Sequence, residues 1–195
     1  MTAINVSEKE EHWKNEVAKY MRLLYDRGLT SSLSGNVSIR ISDVVYISPT
    51  RIPSYRIRND EISTVTTTGK RLDDNIPSSE LPTHLAIYHT THATAIVHTH
   101  SRYATVLACL GRGFSPPDVE GGHLVGDIPL IPYEEPGSSA LGVAVSKGLQ
   151  HCKGALLERH GSIATGTDLE EAFILAEAIE QSARLIFDLE LLRCR

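Results

Sequence analysis

The sequence predicts one α/β domain over residues 1–195, with a central mixed, largely antiparallel sheet on which helices pack. Stretches with helical periodicity alternate along the chain with short strand-like stretches, which is typical of α/β proteins. Many of the strand-like stretches follow one another too closely for a helical crossover, and this spacing favours antiparallel pairing. The chain is 41% hydrophobic, which is enough for one core, and it shows no internal repeat, low-complexity tract or linker.

The first part of the chain is predicted to form a helix followed by strands. Ser7 and Glu10 have the spacing of a capping box, apolar residues recur at helical spacing after them, and Gly28 marks the end of this helix. A stretch rich in serine and glycine follows the helix. Strands are then predicted where β-branched residues cluster or alternate with polar ones, at 37–41, 44–48 and 61–67.

The rest of the chain is predicted to alternate between helices and strands. Ser78 or Ser79 can cap a helix that continues to about residue 89. Thr167 and Glu170 have the spacing of a capping box and predict the start of the last helix. Periodicity predicts the remaining elements, with helices at 101–110 and 138–150, a loop at 111–122, and strands at 95–100, 128–132, 155–157 and 162–164.

Composition argues against several classes of partner. The net charge of −5, without any run of lysine and arginine, argues against a nucleic-acid or anionic-membrane surface. No apolar run is long enough to span a bilayer, and the polar N-terminus lacks the apolar core of a signal peptide. The three cysteines are scattered and form no Cys-x-x-Cys pair, so they predict free thiols. We therefore expect a cytoplasmic protein without nucleic-acid or membrane partners.

His98 and His100 predict a metal site on a strand. Side chains alternate between the two faces of a strand, so these histidines share one face at a separation of roughly 7 Å. Two imidazoles at that separation can lean onto one ion, and zinc accepts neutral imidazole and carboxylate ligands. Without further ligands, a pair of solvated histidines is the simpler interpretation.

Two further residues could complete such a site. His160 follows an apolar strand and precedes Gly161, so its side chain can point from a strand end into a cleft. Glu80 lies near a predicted helix start, where the partial positive charge of the helix favours an ionised carboxylate. Taken alone, each is explained as well by a hydrogen-bonded strand-end histidine or by helix-end electrostatics.

These candidate ligands lie within five short motifs whose order resembles the class II aldolase/adducin family, and within it the L-fuculose-1-phosphate aldolases in particular. The resemblance runs from about Gly28 to about Phe187 and implies a three-layer αβα domain that assembles as a homotetramer with sites at subunit interfaces. The motifs are Ser34-Gly35-Asn36-Val37-Ser38, Ser48-Pro49-Thr50, Pro77-Ser78-Ser79-Glu80, His98-Thr99-His100 and Arg159-His160-Gly161.

The resemblance also implies an activity. It implies an aldolase with one Zn²⁺, or another divalent ion, per subunit. The enzyme would cleave a ketose 1-phosphate such as L-fuculose 1-phosphate to dihydroxyacetone phosphate and an aldehyde such as lactaldehyde. His98, His100 and His160 would be the permanent metal ligands. Glu80 would be a ligand of the resting site and also the catalytic acid/base group.

A phosphate cradle is implied by the same resemblance. Backbone N–H groups at glycine-rich turns and helix starts, together with hydroxyls, can hold an anion without a lysine. Arg51 departs from the family pattern, in which glycine usually stands at this position, and its guanidinium either reaches the phosphate or points into solvent. The chain also ends sooner after its last helix than bacterial aldolases of this type. The cradle residues are Gly35, Asn36, Thr50, Arg51, Ser78 and Ser79.

Three alternatives remain open at this stage. The 4-epimerases of the family usually carry aspartate at the position of Glu80, so the glutamate favours an aldolase. The methylthioribulose-1-phosphate dehydratases use a glutamate in a loop, and Glu120 is a candidate for that role, for a proton donor, or for a solvated loop charge. Adducin-like members are scaffolds without metal ligands, which the four candidate ligands here argue against.

Overall fold

The computed structural model describes residues 6–193 and contains six α-helices and seven strands in that range. Two short 3₁₀-helices, Ser54–Arg56 and Asn59–Glu61, are also present. The helices are α1 (Val6–Asp26), α2 (Leu81–Thr90), α3 (Arg102–Cys109), α4 (Val119–Leu124), α5 (Ser139–Gly148) and α6 (Leu169–Arg193). The strands are β1 (Asn36–Ile41), β2 (Val44–Ile47), β3 (Ser63–Thr66), β4 (Ala95–Thr99), β5 (Leu130–Ile131), β6 (Gly154–Leu157) and β7 (Gly161–Gly166).

The strands form one sheet in the order β3-β2-β1-β4-β7-β6-β5. Among the described strands only β5 and β6 pair in parallel, so the predicted mixed, largely antiparallel sheet is confirmed. Strand β4 occupies the centre of the sheet. On it, His98 is paired with Asn36 of β1 on one side and with Ile163 of β7 on the other.

Helices cover both faces of the sheet, which gives the three-layer αβα arrangement. The alternation of β4 assigns its side chains to the two cores. Ala95 and Val97 pack in the core formed with α1, α3 and α6, whereas Ile96 packs in the core formed with α2 and α5. His98 therefore emerges on the α2 side of the sheet, and the site develops there.

The start of α2 differs from its prediction. Its N-cap is Glu80, and neither Ser78 nor Ser79 caps it. The reason is a turn before the helix, closed by a hydrogen bond from the Leu81 amide to the Ser78 carbonyl oxygen at 3.0 Å. The Ser78 hydroxyl accepts from the Glu80 amide at 3.2 Å within this turn. The helix thus begins one or two residues later than predicted, and Glu80 stands at its positive end.

The last helix is capped one residue later than predicted. Asp168 Oδ1 accepts from the Glu171 amide at 2.8 Å, and the Glu171 carboxylate accepts from the Thr167 amide at 2.7 Å. The predicted pairing of Thr167 with Glu170 was wrong, because aspartate is the stronger capping residue of the two neighbours.

The predicted loop at 111–122 was also partly wrong. It contains the start of α4, whose N-cap Asp118 accepts from the Gly121 amide at 3.3 Å. Two glycines inside this helix lower its intrinsic propensity, so the sequence pattern did not indicate it.

Two other predictions concern the chain ends and the membrane. Helix α1 begins at Val6, and the capping role of the Ser7 side chain lies outside the described residues. Cys109 and Cys152 are free thiols as expected, and Cys194 also lies outside the described residues. Within residues 6–193, no helix combines the length and the apolar character that crossing a bilayer requires.

Candidate metal centre

Three histidines converge where β4 ends and β7 begins. The ring centroids of His98, His100 and His160 lie 4.7 to 4.8 Å apart in each pair. One nitrogen from each ring lies within 4.8 Å of the others, which is a group that could hold a metal ion. The approach depends on Gly161, because a Cβ at this position would collide with the carbonyl oxygen of Thr99. Antiparallel pairing thus brings together histidines that lie about sixty residues apart in the chain.

The hydrogen bond of His98 fixes its tautomer. Its Nδ1 lies 2.9 Å from the carbonyl oxygen of Ser162, and a carbonyl can only accept, so Nδ1 carries the hydrogen. The Nε2 lone pair of His98 is therefore free and points to His100 Nε2, 2.9 Å away. A carbonyl partner of this kind is typical of a metal-binding histidine, since it orients the ring and raises its basicity.

All three histidines are held in the neutral form that a metal requires. Burial lowers the pKa of His100 to about 4, with a further contribution from His160. Burial also lowers the pKa of His160, and it lowers the pKa of His98 well below the usual range, helped by the two neighbouring rings. Near neutral pH the site therefore presents unprotonated nitrogens rather than mutually repelling cations.

Glu80 lies beside the three rings. Its Oε1 is 3.8 Å from His160 Nε2, and its side chain is almost fully buried. Burial raises the pKa of Glu80 to about 7, against the opposing effects of the Gly137 amide and the Thr83 hydroxyl. The Thr83 hydroxyl is near enough to favour the charged form, but it makes no hydrogen bond of ordinary geometry. Such a carboxyl group can both give and take a proton near neutrality.

The donor set fits one divalent ion. Three neutral imidazoles with one adjacent carboxylate match the ligand types of zinc, whose affinity for nitrogen and oxygen donors is high. The Nδ1 of His160 is buried and has no hydrogen-bond partner within residues 6–193, so one of its nitrogens is in excess of what the protein satisfies. Burying nitrogen lone pairs without a partner costs free energy. An ion that accepts the lone pairs of the three converging histidines would remove this cost.

The residues predicted for the phosphate cradle line the same cleft as the four candidate ligands. The cleft has a volume of about 280 Å³, and Arg51 is the only lysine or arginine on its described walls. Arg51 has a φ of +62°, a backbone conformation that favours glycine, and its guanidinium makes no hydrogen bond or ion pair within the described chain. The cleft is lined by Gly35, Asn36, Thr50, Arg51, Ser78, Ser79, Glu80, His98, His100 and His160, among others.

Gly35 is required by its position in this cleft. Its φ is +72°, and a Cβ would lie 2.7 Å from Thr30 Oγ1 and 2.8 Å from the carbonyl oxygen of His98. Only glycine allows the chain to turn so closely into β1 and to expose its backbone to a ligand.

One functional residue escaped the sequence analysis. Gly137, with a φ of +75°, brings its amide to Glu80, and a Cβ there would lie 2.6 Å from the carbonyl oxygen of Ser79. The Pro136-Gly137 pair is a turn signal, but nothing in the sequence relates that turn to Glu80. Only the packing of the 132–138 segment on the start of α2 does so.

Glu120 does not line the histidine cleft. It lies on α4, on a separate cleft of about 600 Å³ between α4 and α6 that also includes Asp118 and Glu177. Within one copy of the chain, Glu120 therefore cannot act as a base at the three histidines.

Comparison with known proteins identifies the family of this chain. Residues 15–187 match the family described as the Class II Aldolase and Adducin N-terminal domain, and the chain belongs to this family. The class II aldolases of the family depend on a metal ion, for which the three histidines are the candidate holders here.

Individual relatives carry two different names. An L-fuculose phosphate aldolase of Haemophilus influenzae is 34% identical over 78% of this chain and 72% of its own length. A 3-oxo-tetronate 4-phosphate decarboxylase of the same organism is 35% identical over 87% of this chain and 84% of its own length. A solved structure of an L-fuculose 1-phosphate aldolase superposes with a TM-score of 0.88 at 29% identity, covering 93% of this chain and 87% of that one.

Proposed function

We propose that the chain is a zinc-dependent aldehyde-lyase that cleaves a ketose 1-phosphate, with L-fuculose 1-phosphate as the first substrate to test. The products are dihydroxyacetone phosphate and an aldehyde, lactaldehyde in that case. The observation that carries the proposal is the convergence of three neutral histidines beside a buried glutamate in a polar cleft.

The metal is assigned to His98, His100, His160 and Glu80. When bound, a divalent ion supplies Lewis-acid chemistry, in which it stabilises the negative charge that develops on the carbonyl oxygen as the carbon–carbon bond breaks. The hydrogen bond from His98 to Ser162 keeps one nitrogen directed at the ion. Zinc is proposed because the donors are mainly imidazole.

Glu80 is the acid/base group in this proposal. Bond cleavage leaves an electron pair on the carbon next to the carbonyl, and a proton must reach that carbon to complete dihydroxyacetone phosphate. As it leaves the ion, the Glu80 carboxylate would take the proton of the departing hydroxyl and deliver it to that carbon. A buried carboxylate with a pKa raised to about 7 is basic enough to take this proton and acidic enough to release it.

The phosphate is assigned to the opposite end of the cleft. The residues proposed to hold it are Gly35, Asn36, Thr50, Arg51, Ser78 and Ser79. The backbone amides of Gly35 and Ser79, together with the serine hydroxyls, supply donors, and Arg51 supplies the one lysine or arginine charge on the described walls. Phosphate binding there orients the substrate relative to the histidines.

Decarboxylation is a second candidate function, favoured by a relative that matches this chain over 84% of its own length. Loss of carbon dioxide from a 3-oxo acid also breaks the bond next to a carbonyl and leaves the same electron pair. The two reactions differ in the departing group. In the aldolase reaction, the substrate hydroxyl that becomes the aldehyde carbonyl must lose a proton. In decarboxylation the carboxylate leaves as carbon dioxide and has no proton to lose.

A product assay with the zinc-loaded protein separates the candidates. The panel contains L-fuculose 1-phosphate, ribulose 1-phosphate, ribulose 5-phosphate, methylthioribulose 1-phosphate and 3-oxo-tetronate 4-phosphate. Dihydroxyacetone phosphate together with an aldehyde from a 1-phosphate supports the aldolase. Carbon dioxide from the oxo acid, an epimerised pentulose, or a dehydrated methylthio sugar each selects the corresponding alternative and contradicts the aldolase.

Metal analysis tests the ligand assignment separately from the reaction. We expect about one zinc per chain in the wild-type protein and its loss in the His98→Ala, His100→Ala double variant. His151→Ala is the matched control, because it removes an exposed histidine far from the cleft. Full activity without bound metal, or unchanged zinc in the double variant, contradicts the ligand assignment. A wild-type protein with neither bound metal nor activity would instead favour an adducin-like scaffold.

Assembly, domain organisation and location are proposed on the family alone. We propose a homotetramer, which sedimentation of the purified protein tests, with an active monomer as the contrary result. The single domain over residues 1–195 is supported by one continuous sheet in the described range. The cytoplasmic location and the absence of nucleic-acid and membrane partners stay predictions.

A further inference from the structure

A chain of buried polar side chains lies between the cleft and α2. His84, on α2, has both ring nitrogens engaged. Its Nε2 lies 2.5 Å from Asn36 Oδ1, and its Nδ1 lies 2.6 Å from the Ser38 hydroxyl. That hydroxyl lies 2.6 Å from the hydroxyl of Tyr88. All four side chains are buried, so the hydrogens of the imidazole and of the two hydroxyls must find acceptors within this group.

One arrangement of hydrogens satisfies the whole group. Tyr88 donates to Ser38, Ser38 donates to His84 Nδ1, and His84 Nε2–H donates to Asn36 Oδ1. In the reverse direction the buried Tyr88 hydroxyl has no acceptor among the described residues, and the His84 lone pair would face an amide oxygen at 2.5 Å. The network therefore has a direction, and it ends at Asn36.

The geometry of β1 explains why a histidine occupies this place. Asn36 and Ser38 are two residues apart on one face of the strand, and His84 lies over both. An imidazole is a rigid ring with a donor on one side and an acceptor on the other, so it bridges an amide oxygen and a hydroxyl without rotamer freedom. Burial lowers the pKa of His84 to about 3, which keeps the ring neutral and the bridge unchanged near neutral pH.

The far end of the network is fixed to the backbone. Arg40 donates to the carbonyl oxygens of Tyr88 at 2.7 Å and Ala93 at 3.0 Å, and its guanidinium lies over the Tyr88 ring. The end of α2 is thereby attached to β1, the strand that carries Asn36. A displacement of α2 would consequently disturb the network along its full length.

The amide group of Asn36 is left with one free end. Its Oδ1 is used by His84, and its Nδ2 makes no hydrogen bond within the described chain. The Nδ2 atom is not among the fully buried unpaired atoms, and Asn36 lines the cleft. Its two hydrogens are therefore presented to the cleft, where they can meet an anionic oxygen.

We propose that His84 is a positioning residue that holds the Asn36 amide with its NH₂ group directed at the substrate phosphate. The inference rests on the proposed phosphate cradle but does not depend on which carbon–carbon bond the enzyme breaks. Helix α2 then has two roles in successive turns. Its N-cap residue, Glu80, transfers protons. His84, four residues later, orients the Asn36 NH₂ group, a hydrogen-bond donor to the phosphate.

Inorganic phosphate binding to the zinc-loaded protein, measured by calorimetry, tests the proposal without reference to the reaction. His84→Leu fills the same space and removes both hydrogen bonds, so we expect the dissociation constant to rise about tenfold or more, as for a lost hydrogen bond to a charged group. His84→Gln retains a donor and an acceptor and should recover most of the affinity. With an active substrate, KM should rise while kcat changes little.

Val145→Ala is the control for general loosening of this layer. Val145 is fully buried in the same core, on α5, and takes no part in the network. We expect it to lower stability and leave phosphate affinity within about twofold, since truncating a core valine costs stability and not a ligand contact. An equal loss of phosphate affinity in Val145→Ala and His84→Leu would show that the effect is only structural and overturn the proposal.

Asn36→Asp keeps the test decisive if His84→Leu does not fold. The aspartate can still accept from His84, but it directs a negative oxygen at the cleft in place of the NH₂ group. Phosphate binding should fall more than tenfold with zinc content unchanged. Unchanged phosphate affinity in this variant, or in a folded His84→Leu protein, overturns the inference. If no substrate of the panel reacts, the proposed function is contradicted. The effect of the variants on phosphate affinity still tests the role of His84 in that case.

Discussion

His98 donates its Nδ1 hydrogen to the main-chain carbonyl oxygen of Ser162 across the β4–β7 pair, at 2.9 Å. The bond joins a candidate metal ligand to β7, the strand that begins directly after His160. His160 is a candidate ligand of the same ion. Because the carbonyl can only accept, the other nitrogen of His98 carries a lone pair toward the cluster at any pH at which the ring is neutral. The sheet therefore determines both the position and the protonation pattern of the site.

Zinc binding should release protons from Glu80 rather than from the histidines. Because burial raises the pKa of Glu80 to about 7, a substantial fraction of Glu80 carries a proton near neutral pH, and coordination displaces it. Proton release per zinc should therefore be measurable at pH 7 and larger at pH 6. The pKa of His100, about 4, makes its contribution small at both values. Calorimetry in buffers with different ionisation enthalpies measures the number released.

Glu80→Gln is the comparison for this measurement. Glutamine has no proton to lose, so proton release near pH 6 should fall well below that of the wild type. The three histidines should still bind zinc, but more weakly. The same proton release in wild type and variant would mean that Glu80 is not a ligand.

Gly161→Ala should weaken zinc binding although it changes no ligand. The new Cβ would collide with the Thr99 carbonyl oxygen, so β7 must move away from β4, and His160 moves with it. A misplaced ligand should lower metal affinity by about 10- to 100-fold, as does loss of a group that orients a ligand by a hydrogen bond. Competition with a chelator of known affinity measures the change.

Gly122→Ala is the matched control for that variant. A Cβ at Gly122 meets open space, so the same substitution on α4 should leave zinc affinity unaltered. Equal zinc affinity in Gly161→Ala and wild type would contradict the importance of this close approach.

Arg51→Gly should make the protein slightly more stable and less able to bind phosphate. A left-handed conformation costs a side-chain residue about 1–2 kcal/mol, and the greater unfolded-state entropy of glycine offsets about 0.5–1 kcal/mol, so the net gain is below about 1.5 kcal/mol. Loss of Arg51, the only lysine or arginine among the described residues of the cleft walls, should raise the phosphate dissociation constant severalfold.

Ser42→Gly supplies the control for Arg51→Gly. Ser42 has a φ of +55° in the turn between β1 and β2, away from the cleft. It should give a similar gain in the free energy of unfolding with no change in phosphate affinity. A phosphate affinity that survives in Arg51→Gly would assign the guanidinium to solvent instead.

Glu180→Ala should destabilise the fold without touching the site. The Glu180 carboxylate, on α6, accepts from the amides of Tyr103 at 2.9 Å and Ala104 at 2.9 Å and so caps α3 from a neighbouring helix. We expect a loss of about 1–2 kcal/mol in urea unfolding, as for other cap removals.

Glu177→Ala, one turn earlier on α6, removes only an ion pair with Arg27 at 3.5 Å near the surface. Its effect on the free energy of unfolding should stay within about 0.5 kcal/mol. If the two variants cost the same, the capping role of Glu180 is wrong.

Local signals in the sequence were sufficient for the fold class and for the list of candidate ligands. Periodicity and close strand spacing predicted an α/β domain with a largely antiparallel sheet, and the alternation around Ile96 assigned His98 and His100 to one face. Motif order related His160 and Glu80 to them. The fold class is confirmed because its signals lie within a few positions of one another. The ligand roles of the four residues stay predictions, although the sheet brings them together.

The tertiary structure decided what depends on contacts between distant segments. The caps of α2 and α6 differ from the predicted ones by one or two residues, since neighbouring residues compete for the same amides. Gly137 reaches Glu80 and His84 reaches Asn36 only through packing of separate elements, a relation that no local pattern contains. The sequence by itself thus determined which groups could do the chemistry. The sheet pairing and the packing of α2 decided where their protons and lone pairs point, because orientation is set by partners far away in the chain.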